Sequence, residues 1–255
     1  MSISILKASV ISKIAAGEVV ERPASVVKEL LENSLDAGAR TVSVDIVGSG
    51  LNIIKVSDDG NGIPAREVEL AFARHATSKL DSETDLESIQ TLGFRGEALA
   101  SIAAVSQVEL VTRCVTEDTG VRLLLMDGQL KDRKSIGVPS GTVIQVENLF
   151  YNVPARLKFL NKEATERGLT KRIVSRYAMA YPYVRFSFTS ENRQGFQSYG
   201  NGNLLDVLSD IYGVDVAGNM LGIRTLEQDS ISVSGLVSKP ELSRSNRQEI
   251  TFFIN

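Results

Sequence analysis

Residues 23–35 constrain the fold more than any other stretch, because they read as one helix with a buried side and a polar rim. Turning each residue by about 100° puts Val26, Val27, Leu30, Leu31 and Leu35 on one arc, with Glu29, Asn33 and Asp36 on a strip beside it. Pro23 after Arg22 suits a first helical position, and Gly38 suits a stop. A carboxylate and a carboxamide one turn apart therefore point the same way from a buried edge. Residues 41–47 and 51–57 then alternate as strands around Gly48-Ser49-Gly50, a hairpin that leaves Asp58 at a strand end.

Farther on, residues 67–73 look helical, and residues 74–92 form a polar connection long enough to be a lid. Gly96 opens a small-residue helix through residue 103. Strands follow at 107–115, 121–126 and 142–148, with Asp127-Gly128 a hairpin turn. A helix at 164–181 and a strand at 184–189 come next. Residues 198–203 read as a linker between two units, 1–200 and 201–255. The second holds a helix at 204–212 and strands at 221–226, 230–237 and 249–254, too little for a full core, so the expectation is a domain that continues beyond residue 255.

Composition narrows the chemistry. A chain of 255 residues buries an ordinary core without staples. One cysteine, Cys114, and one histidine, His75, build neither a zinc site nor a disulfide framework, which points to a reducing cytoplasmic compartment. His75 reads as a lid or packing residue and Cys114 as core. Lys7, Lys13 and Glu18 interrupt the start of the chain, and no apolar run reaches membrane-spanning length. A net charge of −3 argues against coating nucleic acid by bulk charge. Locally, however, Arg156, Lys158, Lys162, Arg167, Lys171, Arg172 and Arg176 stand against only Glu163 and Glu166. That stripe is either a phosphate-facing surface or a solvated helix face.

Four segments carry the candidate chemistry: Glu29-x-x-x-Asn33, Asp58-x-Gly60-x-Gly62, Gly93-Phe94-Arg95-Gly96-Glu97 and Gly141-Thr142. No Gly-Lys dipeptide exists, so a P-loop is excluded. Gly60-x-Gly62-x-x-Ala65 fits a loose dinucleotide pattern, but Asp58 and Asp59 would set two carboxylates beside a pyrophosphate. Asp58 faces a base edge better, since a carboxylate accepts from adenine's amino group; the alternative is an Asx turn closing the hairpin. Gly93-x-x-Gly96 before helix formers offers free amides to phosphate, with Arg95 adding charge, or else marks a turn. Glu29 can polarise a water, and Asn33 can ligate Mg²⁺ through its side-chain oxygen, the other positions going to phosphate and water.

The runs Ile14-Ala15-Ala16-Gly17-Glu18-Val19-Val20-Glu21-Arg22-Pro23, Lys28-Glu29-Leu30-Leu31-Glu32-Asn33-Ser34-Leu35-Asp36-Ala37-Gly38-Ala39, Arg74-His75-Ala76-Thr77-Ser78-Lys79 and Gly93-Phe94-Arg95-Gly96-Glu97-Ala98-Leu99 resemble the MutL family of DNA mismatch-repair proteins, within the wider GHKL ATPases. The resemblance implies an α+β Bergerat fold, a mixed and mostly antiparallel sheet covered by helices, then the start of a ribosomal-protein-like transducer domain. It implies ATP and Mg²⁺ as ligands, with Glu29 the general base, Asn33 the metal ligand and Asp58 the adenine contact. Gly60, Gly62 and Ile63 would line the base pocket, with Thr142 near the adenine. Thr77, Ser78 and Lys79, with Gly93, Phe94, Arg95, Gly96, Glu97, Ala98 and Leu99, would form lid and phosphate cradle. Family members use ATP to dimerise into a clamp on DNA that links a mismatch-recognition protein to nuclease and helicase factors. Their transducer domain supplies a phosphate-contacting lysine beyond residue 255, so binding should survive better than turnover here. A protein-histidine kinase module and a non-hydrolysing DNA- or partner-binding adaptor, resting on Arg156, Lys158, Lys162, Lys171, Arg172 and Arg176, are the competing readings.

Overall fold

The computed structural model describes residues 8–79, 91–93, 96–228, 231–243, 247 and 249–254. Eight strands make one sheet: β1 (Thr41–Val47), β2 (Ile53–Asp58), β3 (Gln107–Arg113), β4 (Gly120–Met126), β5 (Gln129–Ile136), β6 (Gly141–Glu147), β7 (Arg185–Ser190) and β8 (Arg193–Gln197). Their spatial order is β5-β4-β3-β6-β2-β1-β7-β8. Among the described residues, only β1 and β7 pair in parallel. The expected hairpin is present, with Val47 opposite Ile53 across a 3₁₀ turn at Gly48–Gly50.

Helices α1 (Ala8–Val19), α2 (Pro23–Asp36) and α3 (Ala98–Ala104), and after the short α4 (Pro154–Leu157) the long α5 (Glu163–Ala180), lie along the chain, with α2, α3 and α5 packed on the sheet and α1 on α3. Alternation decides which face. Val42, Val44, Ile46, Ile54, Val56, Val108, Leu110, Ile144 and Val146 are buried, together with Val26, Val27, Leu30 and Leu31 of α2. On the opposite face the intervening residues include many polar ones that pair across strands, Arg122 Nη2 donating to Glu109 Oε2 at 2.6 Å. With Leu31 fully buried, its replacement by alanine leaves a cavity costing about 2–5 kcal/mol.

Where the structure departs from the sequence reading, the causes are local. Residues 67–73 form turns and a single 3₁₀ turn, Leu70–Phe72, instead of a helix, because so short a run gains few bonds against the cost of nucleation. Cys114 lies one residue past β3, partly exposed, its Sγ 3.3 Å from Thr116 Oγ1, and so is not core. Residues 249–254 pair with no strand among the described residues, and an extended segment without a hydrogen-bonded neighbour is not a strand. Helix α1 and strands β5 and β8 had no sequence signal.

Residues 198–203 are tied down. Ser198 is fully buried, and its Oγ accepts from Phe186 N at 2.9 Å. Asn203 Oδ1 then accepts from Leu205 N at 3.0 Å, capping α6 (Leu204–Tyr212), whose Val207 joins the core. The short α7 (Val214–Ala217) follows, then β9 (Met220–Gln228) and β10 (Ile231–Ser238) as a separate antiparallel pair. Among the described residues no helix is long and apolar enough to cross a membrane.

Candidate functional site

Strand register builds one end of the site. Asp58 of β2 stands opposite Thr142 of β6, and Thr142 opposite Thr112 of β3, so three polar side chains form a row across the sheet beneath α2. Thr112 Oγ1 donates to Gly141 O at 3.0 Å. Its one proton is then used, so it accepts both from Ile63 N at 2.9 Å and from the Thr142 hydroxyl at 3.0 Å. Ser34 of α2 donates to Asp58 Oδ2 at 2.8 Å, and Gly60 N donates to Oδ1 at 2.9 Å. Burial raises the pKa of Asp58, opposed by hydrogen bonds from Ser34, Gly60 and Thr142. Gly62 closes this end at φ +69°, where a Cβ would collide with the Arg113 carbonyl.

Asp59 plays a different part. It faces away and accepts from Arg40 N at 2.7 Å and Thr41 N at 2.8 Å. Burial opposes its charge, but these amides prevail and lower its pKa.

Helix α2 builds the other end. Glu29 and Asn33 both line a cavity of about 1330 Å³, as the helical spacing requires. Asn33 Oδ1 accepts from Lys79 Nζ at 2.9 Å, and the same ammonium lies 2.6 Å from Asp36 Oδ2. Asp36 also accepts from Leu92 N at 2.9 Å and Gly93 N at 3.1 Å. One carboxylate thus ties Lys79 and the start of the glycine segment to the end of α2. Lys28 Nζ sits 3.3 Å from Glu29 Oε1 and 2.9 Å from Glu32 Oε1. Tyr177 of α5 donates to Glu32 Oε1 at 2.5 Å, and burial followed by Glu32 drives the phenol's pKa far upward, so it stays a donor.

The structure gathers most of the expected residues into this cavity. Asp58, Gly62, Ile63 and Thr142 line its base end; Thr77, Ser78 and Lys79, with Gly93, Gly96, Glu97, Ala98 and Leu99, line the rest. Gly96 holds φ +62°, with a Cβ falling 2.5 Å from Ala76 O, so the two expected cradle segments meet there. Gly60 does not line the cavity and acts through its amide on Asp58. Phe94 and Arg95 lie outside the described residues, as do residues 80–90 of the expected lid. His75, at φ +62°, is exposed beside Glu97, its Nδ1 3.3 Å from Oε1. Thr112, Ser34 and Lys28 were missed from the sequence. Only the strand register, read across β2, β6 and β3, could have pointed to Thr112.

Of the basic stripe, Lys158 and Lys162 are exposed and Lys171, Arg172 and Arg176 partly so. Arg156 is a correction. Its guanidinium donates to Lys13 O at 2.8 Å and Val20 O at 3.3 Å and lies over the Phe150 ring, and burial lowers its pKa. It ties α1 and the residue just past it to α4, where Gly17 leaves it room, so its guanidinium is already engaged although the side chain is partly exposed.

The donor set suits a hard divalent cation. Asn33 Oδ1 is a hard oxygen of the kind a divalent cation takes, it lines the cavity, and it accepts from Lys79 Nζ.

Known proteins share the sequence and fold of this chain. The family described as histidine kinase-, DNA gyrase B-, and HSP90-like ATPase matches residues 21–153. The family described as DNA mismatch repair protein, C-terminal domain, matches residues 208–255. The DNA mismatch repair protein MutL of Desulforamulus reducens is 50% identical over 254 residues, covering 100% of this chain and 40% of the relative. The chain thus spans well under half the length of that curated relative. Among solved structures, the Aquifex aeolicus MutL ATPase domain complexed with ADP is 34% identical with a TM-score of 0.63, covering 76% of this chain and 70% of that one. A second Aquifex aeolicus MutL ATPase domain, described as from a bacterial mismatch repair endonuclease, gives 30% identity and a TM-score of 0.67, covering 90% and 75%. With the row of Asp58, Thr142 and Thr112 at one end of its cavity and Glu29 and Asn33 at the other, the chain belongs to the MutL family of GHKL ATPases.

Proposed function

We propose that the chain binds ATP with its adenine against Asp58 and its triphosphate along α2, and hydrolyses it slowly in the service of DNA mismatch repair. The observation that carries this reading is the shared cavity: a base-reading carboxylate and a Glu-x-x-x-Asn pair open into one space without a P-loop lysine. Asp58 accepts from the adenine amino group, held in place by Ser34 and Gly60. Lys79 moves from Asn33 and Asp36 to the phosphates, where its charge offsets theirs. A Mg²⁺ ion, when bound, supplies further positive charge, with Asn33 Oδ1 as its protein ligand. Glu29 orients the attacking water and takes its proton.

Nucleotide state then gates a clamp. ATP favours pairing of two such N-terminal regions around DNA, whose backbone meets Lys158, Lys162, Lys171, Arg172 and Arg176 without reading sequence. In this reading the clamp passes a signal from a mismatch-recognition protein to nuclease and helicase factors in the cytoplasm, and residues 1–200 and 201–255 serve as ATPase and transducer units. Replacing Glu29 by alanine should abolish phosphate release and leave ATP binding within about threefold, measured by equilibrium titration. Persistent turnover would remove Glu29 from the base role.

A further inference from the structure

At the charged end of the cavity Lys28, Glu29 and Glu32 of α2 stand together. The Lys28 ammonium lies 3.3 Å from Glu29 Oε1. It lies closer to Glu32, 2.9 Å from Oε1 and 3.0 Å from Oε2. Spacing explains this preference, because residues four apart are neighbours on a helix surface and consecutive ones diverge. Burial opposes the charge on Lys28, but the hydrogen bond to Glu32 and then the charge of Glu29 prevail, and its pKa is raised. Glu32 is fixed in turn from the neighbouring helix. Its side chain is 9% exposed, and Tyr177 of α5 donates to Oε1 at 2.5 Å.

Resting on the reading of Glu29 as the base, we propose that Glu32 is a positioning residue for hydrolysis: it holds the Lys28 ammonium off Glu29, which thereby keeps enough basicity to take the proton of the attacking water. Charge decides the matter. An ammonium in full contact stabilises a carboxylate in its ionised form and weakens its pull on a proton. With two carboxylates to serve, the ammonium divides its field, and the closer one, Glu32, takes the larger share. The two carboxylates are not interchangeable. Both oxygens of Glu32 are engaged, by Lys28 and by Tyr177, whereas Glu29 Oε2 has no hydrogen-bond partner among the described residues. Neutralising Glu32 would give the ammonium wholly to Glu29 and slow the chemistry, with every proposed contact to ATP left in place.

The test pairs single-turnover phosphate release, with Mg²⁺ present and protein in excess over ATP, with equilibrium ATP titration. Glu32→Gln, whose amide oxygen still accepts from Tyr177, should release phosphate about five- to tenfold more slowly than the parent while binding ATP within about twofold. Lys28→Met should release it about twofold faster, and the double variant carrying Lys28→Met and Glu32→Gln should recover to within about twofold of that rate. A merely structural Glu32 predicts the reverse, a double variant at least as slow as Glu32→Gln. If Glu32→Gln keeps the parent rate, if Lys28→Met is slower than the parent, or if the double variant is not rescued, Glu32 does not position Lys28, while the base reading stands. Should Glu32→Gln fold poorly, the Lys28→Met rate alone decides. If Glu29→Gln releases phosphate at the parent rate, the base reading itself fails and this proposal falls with it.

Discussion

The two ends of the nucleotide cavity are built by different means. At the base end, Asp58, Thr142 and Thr112 are fixed by strand register and by each other's hydrogen bonds, with Thr112 only 1% exposed. At the other end, Glu29 pairs with Lys28, and Asn33 and Asp36 share the Lys79 ammonium, so charge rather than strand register holds them. The contrast teaches a division of labour: buried groups fixed by strand register suit recognition of an unchanging base, and charged groups at a cavity rim suit a phosphate whose charge is redistributed during reaction. Changes at the base end should therefore affect affinity and stability, and changes at the charged end should affect turnover.

The largest expected effect is at the charged end. Glu29→Ala should lower the hydrolysis rate by roughly 10²–10⁴, the usual contribution of a positioned base, while the melting temperature stays put. A rapid-quench measurement of phosphate checks it. At the base end, Asp58→Asn should cost about 1.5–3 kcal/mol of ATP affinity, because the adenine amino group loses a charged acceptor. The same residue sets a pH dependence. Its raised pKa means that the empty protein holds the proton more tightly than the unfolded chain does. Burial of Asp58 is therefore least costly at low pH, and that advantage is lost as pH rises through its folded pKa. In the proposed pose the adenine amino group donates to the ionised form, so affinity should climb with pH through the same window and then level off. Asp58→Asn should remove that climb, which titration calorimetry at several pH values would show.

Smaller effects sharpen the comparison. Thr112→Val leaves Ile63 N without its partner and should lower stability by about 1–3 kcal/mol in a denaturant melt, with ATP affinity falling as Ile63 and Thr142 lose their positions. Lys79→Met should weaken ATP more than adenosine, because only the charged end has changed, and a pair of competition titrations separates the two. Smallest of all, Arg133→Ala breaks an exposed pair with Glu69 and should alter stability by no more than about 1 kcal/mol.

Much of this was legible in the chain. The arc of α2 placed Glu29 and Asn33 on one rim, because a helix fixes direction from spacing alone. The central strands β1, β2, β3, β4 and β6 alternate between a buried and a polar face, and they were found. The two missed strands, β5 and β8, are the two edges of the sheet. Their sequences, Gln129 to Ile136 and Arg193 to Gln197, are mostly polar, since an edge protected by charge buries few residues, Phe196 being the exception, and shows little alternation. Arg156 was misread for a related reason: a basic residue in a basic run looks solvated until tertiary contacts show its guanidinium capping the carbonyls of α1. Thr112 was out of reach because its partners, Ile63, Gly141 and Thr142, are distant in sequence.

The division between the ends is tested most directly by measuring equilibrium ATP affinity and single-turnover phosphate release side by side on Glu29→Gln and Asp58→Asn. Glu29→Gln should bind ATP within about threefold of the parent and release no phosphate, whereas Asp58→Asn should bind at least about tenfold more weakly yet hydrolyse whatever it binds at close to the parent rate. If both variants lost affinity and turnover together, the two ends would be one unit and the account would be wrong.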